Sequence, residues 1–265
     1  MARAILTGLL KPGVEVDGGI RATNRSQAKA DELSATDGVT AWATESDADA
    51  NRKAIDGAAI VVVAVKPHMV PDLLTEIADA LAPGTLVISV AAGVTMATFE
   101  SLLPETVRVI RSMPNTPATV GQAVTGLSAG TRSTDDDLAL AEALFGTVGE
   151  VLVVPEEQLD ALSSISGSGP AYVFYLIEQL TETAVAKGFT AEQAATIVQG
   201  TFRGATSLLA ASGESPTELR RRVTSPKGTT ERAIGVLEKA GLAEIFTEAT
   251  DAAVARSREL AAPAE

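Results

Sequence analysis

The 265 residues carry a formal net charge of −13 and 46% hydrophobic side chains, which excludes a disordered chain and makes a phosphate backbone an unfavourable partner, so no nucleic acid is expected. Cysteine is absent and His68 is the single histidine, which removes disulfides and thiolate sites, and any triad or metal site would have to be built around one imidazole. No run approaches the roughly 18 apolar residues of a membrane span, and the start MARAILTGLL is too short for a secretory signal, so the expectation is a cytoplasmic protein acting on a small molecule.

From a helix beginning near Ala2, the chain alternates short β-branched runs with amphipathic stretches. GGIRAT, AAIVVVAV (58–65), TLVISVA (85–91), VRVIRS (107–112) and EVLVV (150–154) read as buried parallel strands. SQAKADELS, PHMVPDLLTEIADAL and the segment from Ser133 to Phe145 are long enough for crossover helices. The pattern is βαβ and predicts an α/β, doubly wound parallel sheet over residues 1–155. After Pro155 the strand signals stop and Ala-rich helical periodicity takes over at 156–165, 170–187, 190–212, 228–240 and 242–261, a second, all-helical domain over 156–265. Pro170 sits where a helix starts, and Gly188, Gly213 and Gly241 sit where helices end. The tail AAPAE is expected to be disordered.

Ligands of doubly wound sheets bind outside the carboxyl ends of the strands, which directs attention to four segments. Thr23, Asn24, Arg25 and Ser26 follow the first strand without an acidic residue among them, so the guanidinium suits a ribose 2′-phosphate; a plain N-cap with a solvated arginine fits as well. Ala64, Val65, Lys66 and Pro67 follow the second run and equally describe a proline-initiated helix. Ala91, Ala92 and Gly93 let backbone approach a flat ligand, and are also common in turns. In RSMPNTP (111–117) two prolines restrict the loop and favour a ligand-facing amide at Asn115.

Two further motifs lie in the helical part. SISGSGPAY (164–172) packs serines and glycines before a proline-started helix and leaves several backbone N–H groups unpaired. In RRRVTSPKGTTERA (220–233) the residues Ser225, Pro226, Gly228, Thr229 and Thr230 form a hydroxyl-rich turn opening a helix, an anion site of carboxylate size or else a capped helix beside solvated arginines.

Together these motifs, above all SISGSGPAY and RRRVTSPKGTTERAI with RSMPNTP in support, resemble the pyrroline-5-carboxylate reductase family from Ala2 to about Leu260. The resemblance implies a Rossmann-like domain, a helical dimerisation domain, and homodimers that assemble into a decamer or similar ring. It implies reduction of 1-pyrroline-5-carboxylate to L-proline with NADPH, NADH being possible. By the same resemblance, Asn24, Arg25, Ala64 to Pro67, Ala91 to Gly93 and Asn115 line the cofactor site. Ser225, Gly228, Thr229 and Thr230 hold the substrate carboxylate, and Ser163 donates a proton or orients the ring nitrogen. No metal is implied.

The family begins with a strand and a G-x-G-x-x-G/A loop, whose last two positions align with Met1 and Ala2. A natural protein about ten residues longer is therefore expected, because the first strand of a doubly wound sheet is central and buried. Two other readings stay open. A β-hydroxyacid dehydrogenase shares the two-domain plan but resembles a family with a lysine on the first long C-terminal helix, where this chain has only Lys187, at its end. A catalytically silent oligomer-forming homologue would follow if the phosphate loop is absent.

Overall fold

A computed structural model describes residues 1–261, so the tail expected to be disordered lies outside the described residues from Ala262 onward. The strands are β1 (Ile20–Asn24), β2 (Val39–Ala43), β3 (Ile60–Val63), β4 (Leu86–Ser89), β5 (Arg108–Met113), β6 (Ala123–Ala129) and β7 (Gly149–Val153). The helices are α1 (Ala2–Leu9), α2 (Gln27–Ser34), α3 (Ala50–Ile55), α4 (Val70–Ile77), α5 (Met96–Leu102), α6 (Asp135–Gly146), α7 (Leu159–Leu162), α8 (Gly169–Ala186), α9 (Ala191–Ser212), α10 (Pro216–Arg222), α11 (Thr229–Lys239) and α12 (Leu242–Ala261). The chain divides into two compact units, Met1–Gly167 together with the stretch from Val254, and Ser168–Ala253.

In the first unit β1 and β2 pair in parallel, and β3-β4-β5-β6-β7 form a separate five-stranded sheet. Both faces of the larger sheet are covered, as a doubly wound fold requires. Alternation along β4 shows this directly. Leu86 and Ile88 face a cluster with Ala4 and Ile5 of α1 and Ala141, Leu144 and Phe145 of α6. Val87 points the other way, toward Leu74 and Ile77 of α4 and Phe99 of α5. Each such fully buried side chain contributes about 1.5–3 kcal/mol over its exposed state. α6 starts where it does because Thr134 and Asp137 form a capping box, and Arg108 pairs with the buried Asp137 carboxylate at 2.9 Å.

The structure corrects three points of the strand reading. β6 is an unforeseen strand and runs antiparallel to β5, because the connection from Pro114 to Gln122 is too short for the crossover a parallel pair needs. β2 is also unforeseen. β7 pairs in parallel with β6 at the sheet edge, where Leu152 and Val153 are exposed rather than buried.

The second unit is entirely helical. α9 is bounded by a capping box, Thr190 with Gln193, and by Gly213 in the left-handed conformation, and α8 opens with Pro170 in its first turn. α10 is a helix that the periodicity does not announce; it starts at Ser215, whose side chain caps the Glu218 N–H, with Pro216 next. The helices of this unit bury little among themselves. Ala184, Ala194 and Val198 form a small core with Ile177 and Phe202, whereas Phe174 is 66% and Val236 68% exposed, with Tyr175, Leu208 and Ile245 also exposed. Isolated monomers rarely leave so many large apolar side chains in water, so these helices call for a partner.

Candidate functional site at the strand ends

The ladder aligns Val63 with Ser89 and Ser89 with Arg111. Ala64 to Pro67, Ala91 to Gly93 and Ser112 to Asn115 therefore leave one edge of the sheet side by side, at the carboxyl ends of β3, β4 and β5. Ser112 locks two of them together by donating its buried hydroxyl to the Ser89 carbonyl at 2.7 Å. Ala64, Lys66, Pro67 and Ala92 are exposed, and Gly93 holds φ 77°, which a side chain resists. Pro67 opens a single 3-10 turn, Pro67–Met69, that leads into α4, so the helix-start reading of this segment also holds.

Asn24 and Arg25 lie at the end of β1 in the smaller sheet. Arg25 is exposed and its guanidinium makes no hydrogen bond or ion pair among the described residues, but the turn is not free of acid as its own residues imply. Glu45, brought alongside by the β1–β2 pairing, donates its backbone N–H to the Arg25 carbonyl at 3.1 Å, while its carboxylate accepts from the Gln27 N–H at 2.8 Å. That carboxylate replaces the N-cap bond that Ser26 does not make.

Asn115 is buried, and its side chain is engaged with the protein. Its amide donates to the Ser166 carbonyl at 3.0 Å, and its oxygen accepts from the Val124 N–H at 3.0 Å. The amide thus ties the loop after β5 both to β6 and to the turn after Ser163.

That turn differs from expectation. The predicted helix 156–165 is a 3-10 turn, Glu156–Gln158, then the short α7, then one π-helical turn, Ser163–Gly167. The serine-glycine segment is therefore wound up rather than open, and its N–H groups are not free for a ligand as a bare helix start would leave them. π turns often mark functional sites because they re-aim side chains within a helical path. Gly167 lies so close to Ser163 that an added Cβ would stand 2.9 Å from the hydroxyl and 3.9 Å from the Met113 methyl. Ser163 is thus placed beside the end of β5.

Missing from the sequence reading are Arg111, Glu156 and Asp160. Arg111, its side chain only 7% exposed, bonds Glu156 at 2.9 Å and Asp160 at 3.4 Å. The signal was available: an arginine on the inward-facing, β-branched run VRVIRS demands acidic partners, and PEEQLD (155–160) supplies them.

In the second unit Ser225, Gly228, Thr229 and Thr230 open α11. The Gly228 N-cap position provides no side-chain bond to the helix start, and the hydroxyls of Ser225, Thr229 and Thr230 make no hydrogen bond among the described residues, which leaves a hydroxyl-rich, N–H-rich helix end. Gly228 is needed for space, since a Cβ would stand 2.9 Å from the Ser225 carbonyl oxygen. Lys227 takes φ 62°, and the Glu231 carboxylate accepts its N–H at 2.9 Å. Just upstream, Arg221 and Arg222 bond the Glu218 carboxyl and lower it from 4.5 to about 2.

Comparison with known proteins gives the same picture. Residues 156–260 match the family described as pyrroline-5-carboxylate reductase dimerisation, and residues 1–93 match NADP oxidoreductase, coenzyme F420-dependent. The chain is 36% identical to a pyrroline-5-carboxylate reductase of Methanosarcina acetivorans, over 98% of this chain and 94% of the relative. For that of Mycobacterium tuberculosis the identity is 38%, over 98% and 93%. A solved reductase of this name from Coxiella burnetii superposes with a TM-score of 0.90 at 40% identity, covering 99% of this chain and 95% of that one. A Plasmodium falciparum enzyme solved with NADP bound, at TM-score 0.81 and 23% identity over 98% and 94%, shares the fold. Identity of this degree, sustained over nearly the whole chain, makes this protein a member of the pyrroline-5-carboxylate reductase family.

Proposed function

We propose that the chain reduces 1-pyrroline-5-carboxylate to L-proline with NADPH, NADH being possible, as the last step of proline biosynthesis. The observation that carries the reading is the end-to-end identity to curated reductases of this name, 36% over 98% of the chain. The strand-end edge agrees with it: small residues at Ala64 and Ala91 to Gly93 offer a surface for a flat ring, and the exposed Arg25 guanidinium, without a partner among the described residues, suits a 2′-phosphate. When bound, the nicotinamide supplies a hydride to the carbon of the C=N bond.

The protein's own part is to bind and orient. A protonated cyclic imine is already electrophilic, so no strong base is needed at the reacting carbon. Ser163 orients the ring nitrogen or donates its proton. Ser225, Gly228, Thr229 and Thr230 take the carboxylate through hydroxyls and the free N–H groups at the start of α11. Asn115 holds the loop beside the cofactor surface. We further propose residues 1–155 as the cofactor domain and 156–265 as the dimerisation and substrate domain, homodimers assembling into a decamer or similar ring, and a cytoplasmic location. Among the described residues no helix is long and apolar enough to cross a membrane. The β-hydroxyacid dehydrogenase reading is disfavoured by α8, which contains no lysine; Lys187 stands at its C-cap.

Purified protein mixed with pyrroline-5-carboxylate should consume NADPH and yield proline. A panel of 3-hydroxy acids with NADP should give no reduction of the cofactor. The opposite pattern would establish the dehydrogenase reading, and inactivity with both substrates would leave the silent oligomer.

A further inference from the structure

β5 ends in a charge that neither strand pairing nor solvent accounts for. Arg111 lies inside the first unit with its guanidinium divided between Glu156 and Asp160. Each carboxylate has a second partner. Glu156 Oε1 accepts the Met96 N–H at 2.8 Å, at the start of α5 just after the Gly93 turn. Asp160 Oδ1 accepts the Ser257 hydroxyl of α12 at 3.1 Å. One arginine thus links the end of β5, the segment after Gly93, the turn before Ser163 and the last turns of the C-terminal helix.

Such a network is a poor device for stability alone, because desolvating the ions cancels much of their attraction and apolar packing serves as well. Its distinctive yield is geometry: a planar fork fixes two carboxylates relative to its own strand. Those carboxylates stand next to the two segments that must meet. Ser163 follows Asp160 within one helical turn, and Gly93 precedes Met96 by a short turn. Asn115, a few residues beyond Arg111, adds a second tie to the same π turn through Ser166.

We propose that Arg111 is a positioning residue for hydride transfer, holding the Ser163–Gly167 turn in register with the strand-end cofactor surface through Glu156 and Asp160. It touches neither substrate nor cofactor. The proposal rests on the functional reading above.

Single-turnover reduction of pyrroline-5-carboxylate, with cofactor and imine saturating, separates positioning from folding. Loss of folded protein lowers the amplitude, whereas loss of register lowers the rate constant. Arg111→Lys keeps the charge and removes the fork; its rate constant should fall about 10- to 100-fold, the loss that a small misplacement of reacting groups produces, while the amplitude per folded protein holds. Asp160→Ala, which removes the oxygen that accepts from both Arg111 and Ser257, should slow the step in the same direction, and it decides the question alone if Arg111→Lys does not fold. Parent rate constants in the folded variants would overturn the proposal. No imine reduction by the unsubstituted protein would overturn the functional reading, and the role of Arg111 with it.

Discussion

The side-chain amide of Asn115 lies 3.0 Å from the Ser166 carbonyl oxygen, so the proline-braced loop after β5 and the π turn after Ser163 are tied to each other. The same side chain accepts the Val124 N–H. Asn115→Ala should therefore remove the partners of an N–H and a carbonyl that are both partly buried and cost on the order of 1 kcal/mol, the lower end for an unsatisfied group. A lowered melting temperature, with slower turnover at a temperature where the variant is folded, is the expected result. An unchanged melt would show that the tie contributes nothing.

Arg25 is exposed beside a helix start whose first N–H is already taken by Glu45. If the guanidinium reads the 2′-phosphate, Arg25→Ala loses a charge-assisted contact of about 1.5–3 kcal/mol, and NADPH should weaken roughly 10- to 100-fold with NADH spared. Titration of both cofactors by fluorescence checks this; equal losses for the two would reject the assignment.

Thr230 carries a hydroxyl with no partner among the described residues, at the uncapped start of α11. Thr230→Ala should raise KM for the imine and weaken proline as product inhibitor by about 1.5–3 kcal/mol, the contribution of one hydrogen bond to a charged group, with folding intact. Unaltered substrate kinetics would remove Thr230 from the site.

The Glu218 carboxyl is held near 2 by hydrogen bonds from Arg221 and then Arg222. A carboxylate whose folded value lies below its unfolded one contributes stability that is present above about 4.5 and is lost as pH falls toward about 2. The effect is small because the group is solvated. It should appear as faster amide exchange in α10 as pH drops through that window, after correction for intrinsic rates. In Glu218→Gln the pH dependence should vanish; its persistence would place the titration elsewhere.

The sequence by itself determined most of the strands and long helices, the order of the two parts and the family. Runs such as AAIVVVAV and LVIS declare strands through β-branching and length, and Pro170, Gly213 and Gly241 mark helix ends through their backbone preferences, all of which are local properties of the chain. β6 escaped because AVTGLSA has no strong β pattern; it is a strand because β5 and β7 pair with it on both sides. The helix expected over 156–165 is instead a 3-10 turn, α7 and the start of a π turn for the same kind of reason, since the Asn115 amide ties that turn from outside.

Only the tertiary structure decided which side chains answer one another. Arg111 with Glu156 and Asp160, Glu45 at the N–H of Gln27, and Asn115 on Ser166 join residues far apart in sequence. Composition can demand a partner for a buried charge. Which carboxylate provides it depends on strand order and register, and these are set by long-range packing on the two faces of the sheet.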